Sequence, residues 1–249
     1  MTAPQHTNAG YGLSTTRLEA LSDGVLAIVI TLLILIFIDA DVEIAGTPSM
    51  SNAEVLAFLG GLWAHVLGYV LSFVLIAIYW ILHHHMFHYI HRADRGLLWL
   101  NLFFLMSVAF LPFPTDLLSE CILHESNVIV IVYGATHLVC GVALAVLWKY
   151  ATHRGRLVEA NLDPAIVRAT LQTTLTGPAL YMVGIVASFL SPYAAVIVYC
   201  FVPLLYIVPG RIDQMWLMLD RAVDGELALM QRRGLFAALR GSKSATPNP

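Results

Sequence analysis

Charge is scarce in this chain. Asp, Glu, Lys and Arg make up 12% of its 249 residues, against about 25% in a soluble domain. With 59% of the residues apolar, a water-soluble fold has too little polar surface to cover what it must hide, so lipid is part of the solvent. Cysteine is nearly absent. Three residues are too few and too odd in number for a disulfide framework; Cys140 and Cys200 fall in apolar segments and Cys121 in an acidic stretch, positions that suit packing. A basic excess is missing as well: the net charge is −3, and no cluster has the footprint of a nucleic-acid-binding face. Strict apolar–polar alternation is absent, which argues against a lipid-facing β-barrel, and no internal repeat is visible. No small-residue cleavage site follows the first apolar run, so that run reads as a retained membrane helix rather than a signal peptide.

The charges that are present are sorted by side. All thirteen Lys and Arg residues fall in four stretches: Arg17, Arg92 with Arg95, Lys149 through Arg168, and Arg211 onward. The alternate stretches hold only acids: Asp39, Asp41, Glu43 and Glu54, then Asp116, Glu120 and Glu125. This is the positive-inside pattern, and it predicts both topology and orientation. The expected spans are 18–38, 55–88, 97–118, 127–150, 168–190 and 193–208, of about the 17–25 residues a spanning helix needs, the second overshooting on the inner side. The fold class is thus an all-α integral membrane protein of six transmembrane helices in the cell membrane, with both termini cytoplasmic.

Around this domain, at 17–211, the sequence predicts a polar tail at 1–16, a cytoplasmic amphipathic helix at 212–240 and a disordered Ser/Thr/Asn/Pro tail at 241–249. In the amphipathic stretch Ile212, Met215, Trp216, Leu219 and Val223 recur at helical spacing. Pro178 is expected to kink the fifth helix, whose Thr170, Thr173, Thr174 and Thr176 suit helix–helix packing in lipid.

Ionisable groups inside spans mark function. Asp23 lies near the inner end of the first helix, six residues after Arg17, a spacing that does not bring the two together on one helix face. It reads either as an interfacial capping carboxylate or as one whose partner lies on another helix. His83, His84, His85, His88 and His91 end the second span. Histidines at i and i+4 suit zinc, but carboxylate or Cys ligands at matching depth are weak, so the group reads as an interfacial cluster and no metal is expected. His65 and His137 suit local hydrogen bonds. Gly10-Tyr11-Gly12 matches part of a potassium filter, but it precedes every span and lacks the re-entrant loop that such a filter needs.

Arg17-Leu18-Glu19-Ala20-Leu21-Ser22-Asp23-Gly24 resembles the opening of the first helix in the transmembrane protein 175 family, where the pattern is Arg, three residues, then Phe-Ser-Asp; Leu21 stands in the place of the Phe. Tyr79-Trp80-Ile81-Leu82-His83-His84, Leu100-Asn101-Leu102 and Phe110-Leu111-Pro112-Phe113-Pro114-Thr115 extend the likeness across the first three spans. The resemblance implies a potassium channel, a homotetramer in which the first helix of each subunit lines the pore, with no cofactor and modest selectivity over sodium. Counting from the matched Asp, it implies a constriction of Ile28, Thr31 and Leu35. Periodicity alone does not separate this stripe from Val29, Leu32 and Ile36, although Thr31 is the only polar residue between Val25 and Ile38. The resemblance also implies an inner polar network of Arg17, Ser22, Asp23, His83, His84 and Asn101. In a tetramer Asp39, Asp41 and Glu43 would crowd the outer mouth and concentrate cations. The rival readings are a metal-dependent membrane enzyme built on the histidine cluster and a secondary transporter.

Overall fold

Where water is excluded, a chain must satisfy its own backbone N–H and C=O groups, and a helix does so within one segment. The computed structural model describes residues 15–38, 50–121, 126–159 and 161–207. These belong to the first of two compact units, Met1–Ile207; the second, Val208–Pro249, with the expected amphipathic helix and tail, lies outside the described residues. So do Asp39, Asp41 and Glu43.

Helix α1 runs Thr15–Leu32 and tightens into a 3₁₀ stretch, Leu33–Phe37. The expected second span is two helices, α2 (Asn52–Gly61) and α3 (Trp63–Tyr89), which meet at Leu62. The break follows Gly60-Gly61, and glycine is the weakest helix former after proline. A capping box starts α2: the Ser51 hydroxyl accepts the Glu54 N–H, and the Glu54 carboxylate accepts the Ser51 N–H at 2.7 Å. The expected third span is also divided, into α4 (Arg95–Ala109) and α5 (Pro112–Cys121). Pro112 has no N–H to give and disfavours a helical residue before it.

Helix α6 (Asn127–Thr152) stops at a turn in which Arg154 and Gly155 take φ of 57° and 64°. The left-handed backbone at Gly155 carries no steric penalty. Helix α7 (Pro164–Ser188) starts one turn earlier than the apolar run suggests, because Asp163 caps it and Pro164 occupies its first turn. Helix α8 is Pro192–Ile207. Among the described residues four segments are long and apolar enough to cross a membrane: Thr15–Phe37, Trp63–Tyr89, Arg95–Ser119 and Asn127–Gly155. Among the described residues no sheet forms; a single bridge, Ile90 to Val158, ties the α3–α4 loop to the α6–α7 loop.

The helices pack mainly as sequence neighbours, α6 on α7 and α7 on α8, with α4 on α6 and α3 on α5. Helix α1 rests against α3 and α4. Polar groups in the centre find one another. Ser72 bonds the Thr115 and Tyr133 hydroxyls at 2.8 and 3.1 Å. The Tyr79 hydroxyl lies 3.2 Å from His137 Nδ1 and donates to the His137 carbonyl. At Pro178 the helix ladder of α7 is interrupted, and the Tyr206 hydroxyl enters the adjoining turn. It donates to the Thr173 carbonyl at 2.7 Å and accepts the Gly177 N–H at 3.0 Å.

Close approach of helices requires small residues. Gly184 of α7 and Gly134 of α6 both lie against the buried Tyr199 ring, and a Cβ at either would overlap it. Gly184→Ala is expected to destabilise the α6–α7–α8 packing by about 1–3 kcal/mol, read as a lower melting midpoint in detergent. A midpoint equal to the wild type would show that the ring can move aside.

Candidate functional site

The N-terminal half of α1 sends two adjacent residues to two different neighbours. Ser22 is fully buried and donates to the Leu18 carbonyl at 2.8 Å, one turn back. Its oxygen accepts the Asn101 amide of α4 at 2.9 Å, and the Asn101 carbonyl oxygen lies 2.9 Å from His83 Nε2 of α3. A carboxamide oxygen only accepts, so this bond fixes the His83 proton on Nε2. The imidazole is stacked between Phe87 and Phe104, at 4.2 and 5.6 Å between ring centroids. The result is a continuous polar chain, Leu18–Ser22–Asn101–His83, across three helices in a buried setting. Each member is satisfied by the next, as low-dielectric surroundings demand.

Asp23, one residue on, faces outward. Its carboxylate accepts the Trp80 indole N–H at 2.8 Å, and the Trp80 ring stacks on His84 at 5.7 Å. Positions 79 and 83 share one face of α3 and positions 80 and 84 share the next, as i, i+4 pairs do. The run Tyr79 to His84 is therefore split: one half enters the core and the other meets Asp23. Arg17 is exposed and joins neither chain among the described residues. Sequence reasoning named no partner for Asp23. The available signal was the Trp80 indole itself, a donor in an apolar segment that needs an acceptor.

The remaining histidines diverge. His88 and His91 are exposed, whereas His85 is buried with Nε2 3.3 Å from the Thr170 hydroxyl. Among the described residues no three His, Cys, Asp or Glu side chains converge as metal ligands would.

Along α1 the two competing stripes separate except at Leu32, which is exposed with the first. Val29 and Ile36 are buried, as are Leu26 and Leu33. Ile28 is 59% exposed and Leu35 51% exposed, and Thr31 is exposed with its hydroxyl donating to the Ile28 carbonyl at 2.7 Å. The 3₁₀ winding after Leu32 turns about 120° per residue instead of 100°, so Leu35 rotates by roughly 60° from its α-helical position. It comes into line with Leu32 rather than Ile28, and both stay on the open side.

Asp94 caps α4 through the Leu97 N–H at 2.8 Å and accepts the Tyr150 hydroxyl at 2.9 Å. Arg156 Nη2 lies 2.6 Å from the same carboxylate. Partial burial alone pushes the Asp94 carboxyl up, but the Leu97, Tyr150 and Arg156 donors outweigh it, and the group sits below its ordinary value.

The family model for the endosomal/lysosomal potassium channel TMEM175 matches residues 17–112, the part of the chain that holds both bond chains of α1 and the open stripe. A potassium channel of Chamaesiphon minutus is 34% identical over 205 residues, 82% of this chain and 95% of its own. The chain belongs to the TMEM175 family. A second relative, a potassium channel of Streptomyces collinus, is 38% identical over 177 residues, 70% of this chain and 82% of its own. The crystal structure of a lysosomal potassium-selective channel TMEM175 homolog from Chamaesiphon minutus superposes with a TM-score of 0.65 at 32% identity, covering 77% of this chain and 95% of that one. Membership in TMEM175, a family of channels, sets aside the metal-dependent enzyme. With its several apolar helices the chain is a multi-pass membrane protein.

Proposed function

We propose that four copies of this chain form a potassium-selective channel in the cell membrane, with α1 of each subunit lining the pore. The observation that carries this reading is the open face of α1: Ile28, Thr31 and Leu35 are exposed on a helix whose opposite face is buried on α3 and α4. Cyclic symmetry brings four identical stripes together, and the relatives named potassium channels supply the ion. The charge pattern supports six crossings, with α7 and α8 as the last two and both termini cytoplasmic.

In this reading four Ile28 side chains form a ring that resists ions by dewetting. The Thr31 hydroxyl donates to its own helix, so its oxygen lone pairs remain for a cation one turn further out. Selectivity over sodium is modest, because among the described residues no cage of backbone carbonyls is present to replace the hydration shell. Asp39, Asp41 and Glu43 gather cations at the outer mouth. The Ser22–Asn101–His83 chain and the Asp23–Trp80–His84 group hold α1 at its angle behind the pore, and Arg17 contributes charge at the inner boundary. No cofactor enters.

Flux assays on reconstituted protein test the reading. Potassium should pass faster than sodium, and chloride should be excluded. Equal chloride and potassium flux, or no first-helix cross-linking between subunits at Ile28→Cys, would sink it.

A further inference from the structure

A second site lies at the far end of α6. Val146, Lys149, Tyr150 and His153 fall at i, i+3, i+4 and i+7, one face of the helix, and with Arg156 they line a cleft of about 270 Å³. Arg156 returns to that face because the chain reverses through the left-handed pair Arg154-Gly155. Its guanidinium is then fixed in place. It stands 5.1 Å from the centre of the Tyr150 ring, and Nη2 donates to both the Tyr150 hydroxyl and Asp94. Both of those bonds use one nitrogen. Nη1 and Nε make no hydrogen bond among the described residues, so donors of the fork that recognises phosphate stay available on a side chain already ordered. Asp94 offsets one charge; Lys149 and Arg154, both exposed, are left over.

The same helix face continues away from the cleft as Val146, Val142 and Val139, each exposed. Ten residues from Lys149 to Val139 span roughly 15 Å, half the thickness of a bilayer's hydrocarbon core at about 30 Å. A cationic cleft at the boundary with an apolar strip one leaflet long beneath it has the shape of a lipid. We propose that this cleft binds the head-group phosphate of an anionic phospholipid, with an acyl chain laid along α6. That the lipid belongs to the cytoplasmic leaflet rests on the orientation given under the proposed function; the site itself does not. Free phosphate shares the head-group chemistry, but the valine strip favours the lipid.

Native mass spectrometry of the full-length protein in neutral detergent tests this, with phosphatidylglycerol, phosphatidylcholine and inorganic phosphate as the three probes. Phosphatidylglycerol should be retained in preference to phosphatidylcholine. Lys149→Gln should weaken its retention about fivefold, the worth of one cation at a membrane surface, and Lys149→Arg should restore it. Arg168→Gln removes an equal charge from the adjoining end of α7 and should change nothing. Equal retention of the two lipids, an equal loss in Arg168→Gln, or displacement of the lipid by inorganic phosphate at matched concentration would overturn the proposal. Potassium flux in vesicles of phosphatidylcholine alone reads the channel separately, so intact flux without lipid retention overturns only this site.

Discussion

Ile28→Asn is expected to raise single-channel conductance several-fold and to weaken the preference for potassium over sodium. In the tetramer proposed above, a ring of four amides holds water where a ring of four isoleucines excludes it, and the barrier to a hydrated ion falls with wetting. Thr31→Val should act differently. It keeps the ring's size but removes the oxygen that faces the ion, so potassium preference drops without a large rise in leak. Because Ile28 is 59% exposed within its own subunit, the amide does not disturb the packing of α1 on α3 and α4. A stability change would have to arise between subunits or against lipid. Recordings of both variants beside their melting curves discriminate: unchanged conductance with lower stability for Ile28→Asn means that the residue packs rather than lines the pore.

Asn101→Leu is expected to be the most damaging substitution of similar size at the inner end. It leaves the His83 Nε2–H buried without an acceptor, at a penalty of about 1–3 kcal/mol, and removes the buried bond from α4 to Ser22 of α1, leaving only the Trp80–Asp23 bond between α3 and α1. Thermal melting and, for the tetramer proposed above, the fraction recovered assembled should both fall. Adding His83→Phe should recover much of the loss, since two apolar groups of fitting shape replace an unsatisfied pair and the ring already lies between Phe87 and Phe104. Arg17→Ala, at an exposed position, should cost less than Asn101→Leu. If Asn101→Leu melts with the wild type, or if the double variant is worse than the single one, the bond chain does not hold α1.

The parts of this structure that were legible in the sequence are those set by lipid. Apolar length and the one-sided placement of Lys and Arg gave the helical segments, Asp23 and His83 stood out as ionisable groups in apolar surroundings, and Ser22 and Asn101 were reached through the family resemblance. Other parts were hidden for definite reasons. Periodicity treats a helix as uniform, so it passed over the breaks at Leu62 and Phe110 and the tightening after Leu32, although Gly60-Gly61 and Pro112 marked two of the three. It also weighs apolar faces alike. On α1 a face against lipid, a neighbour or a pore is equally apolar, so Ile28 and Val29 look the same in the sequence and differ only once α3 and α4 cover one of them. The Asp94–Tyr150–Arg156 group was hidden because its members come together through the left-handed turn at Arg154, which no local pattern announces.

The two bonds made by Ser22 and Asp23 also govern phase. Neighbours on a helix point about 100° apart, and here each is claimed by a different helix, so α1 has one permitted roll angle at its inner end. Every residue between Asp23 and Ile28 then carries that angle outward. Removing any one of them would leave both bonds intact and yet turn the rest of the helix by about 100°, presenting a different set of side chains on the open side. The count of residues from anchor to ring is thus as much a determinant of what faces outward as the side chains themselves, and α1 tolerates a change of residue there far better than a change of length.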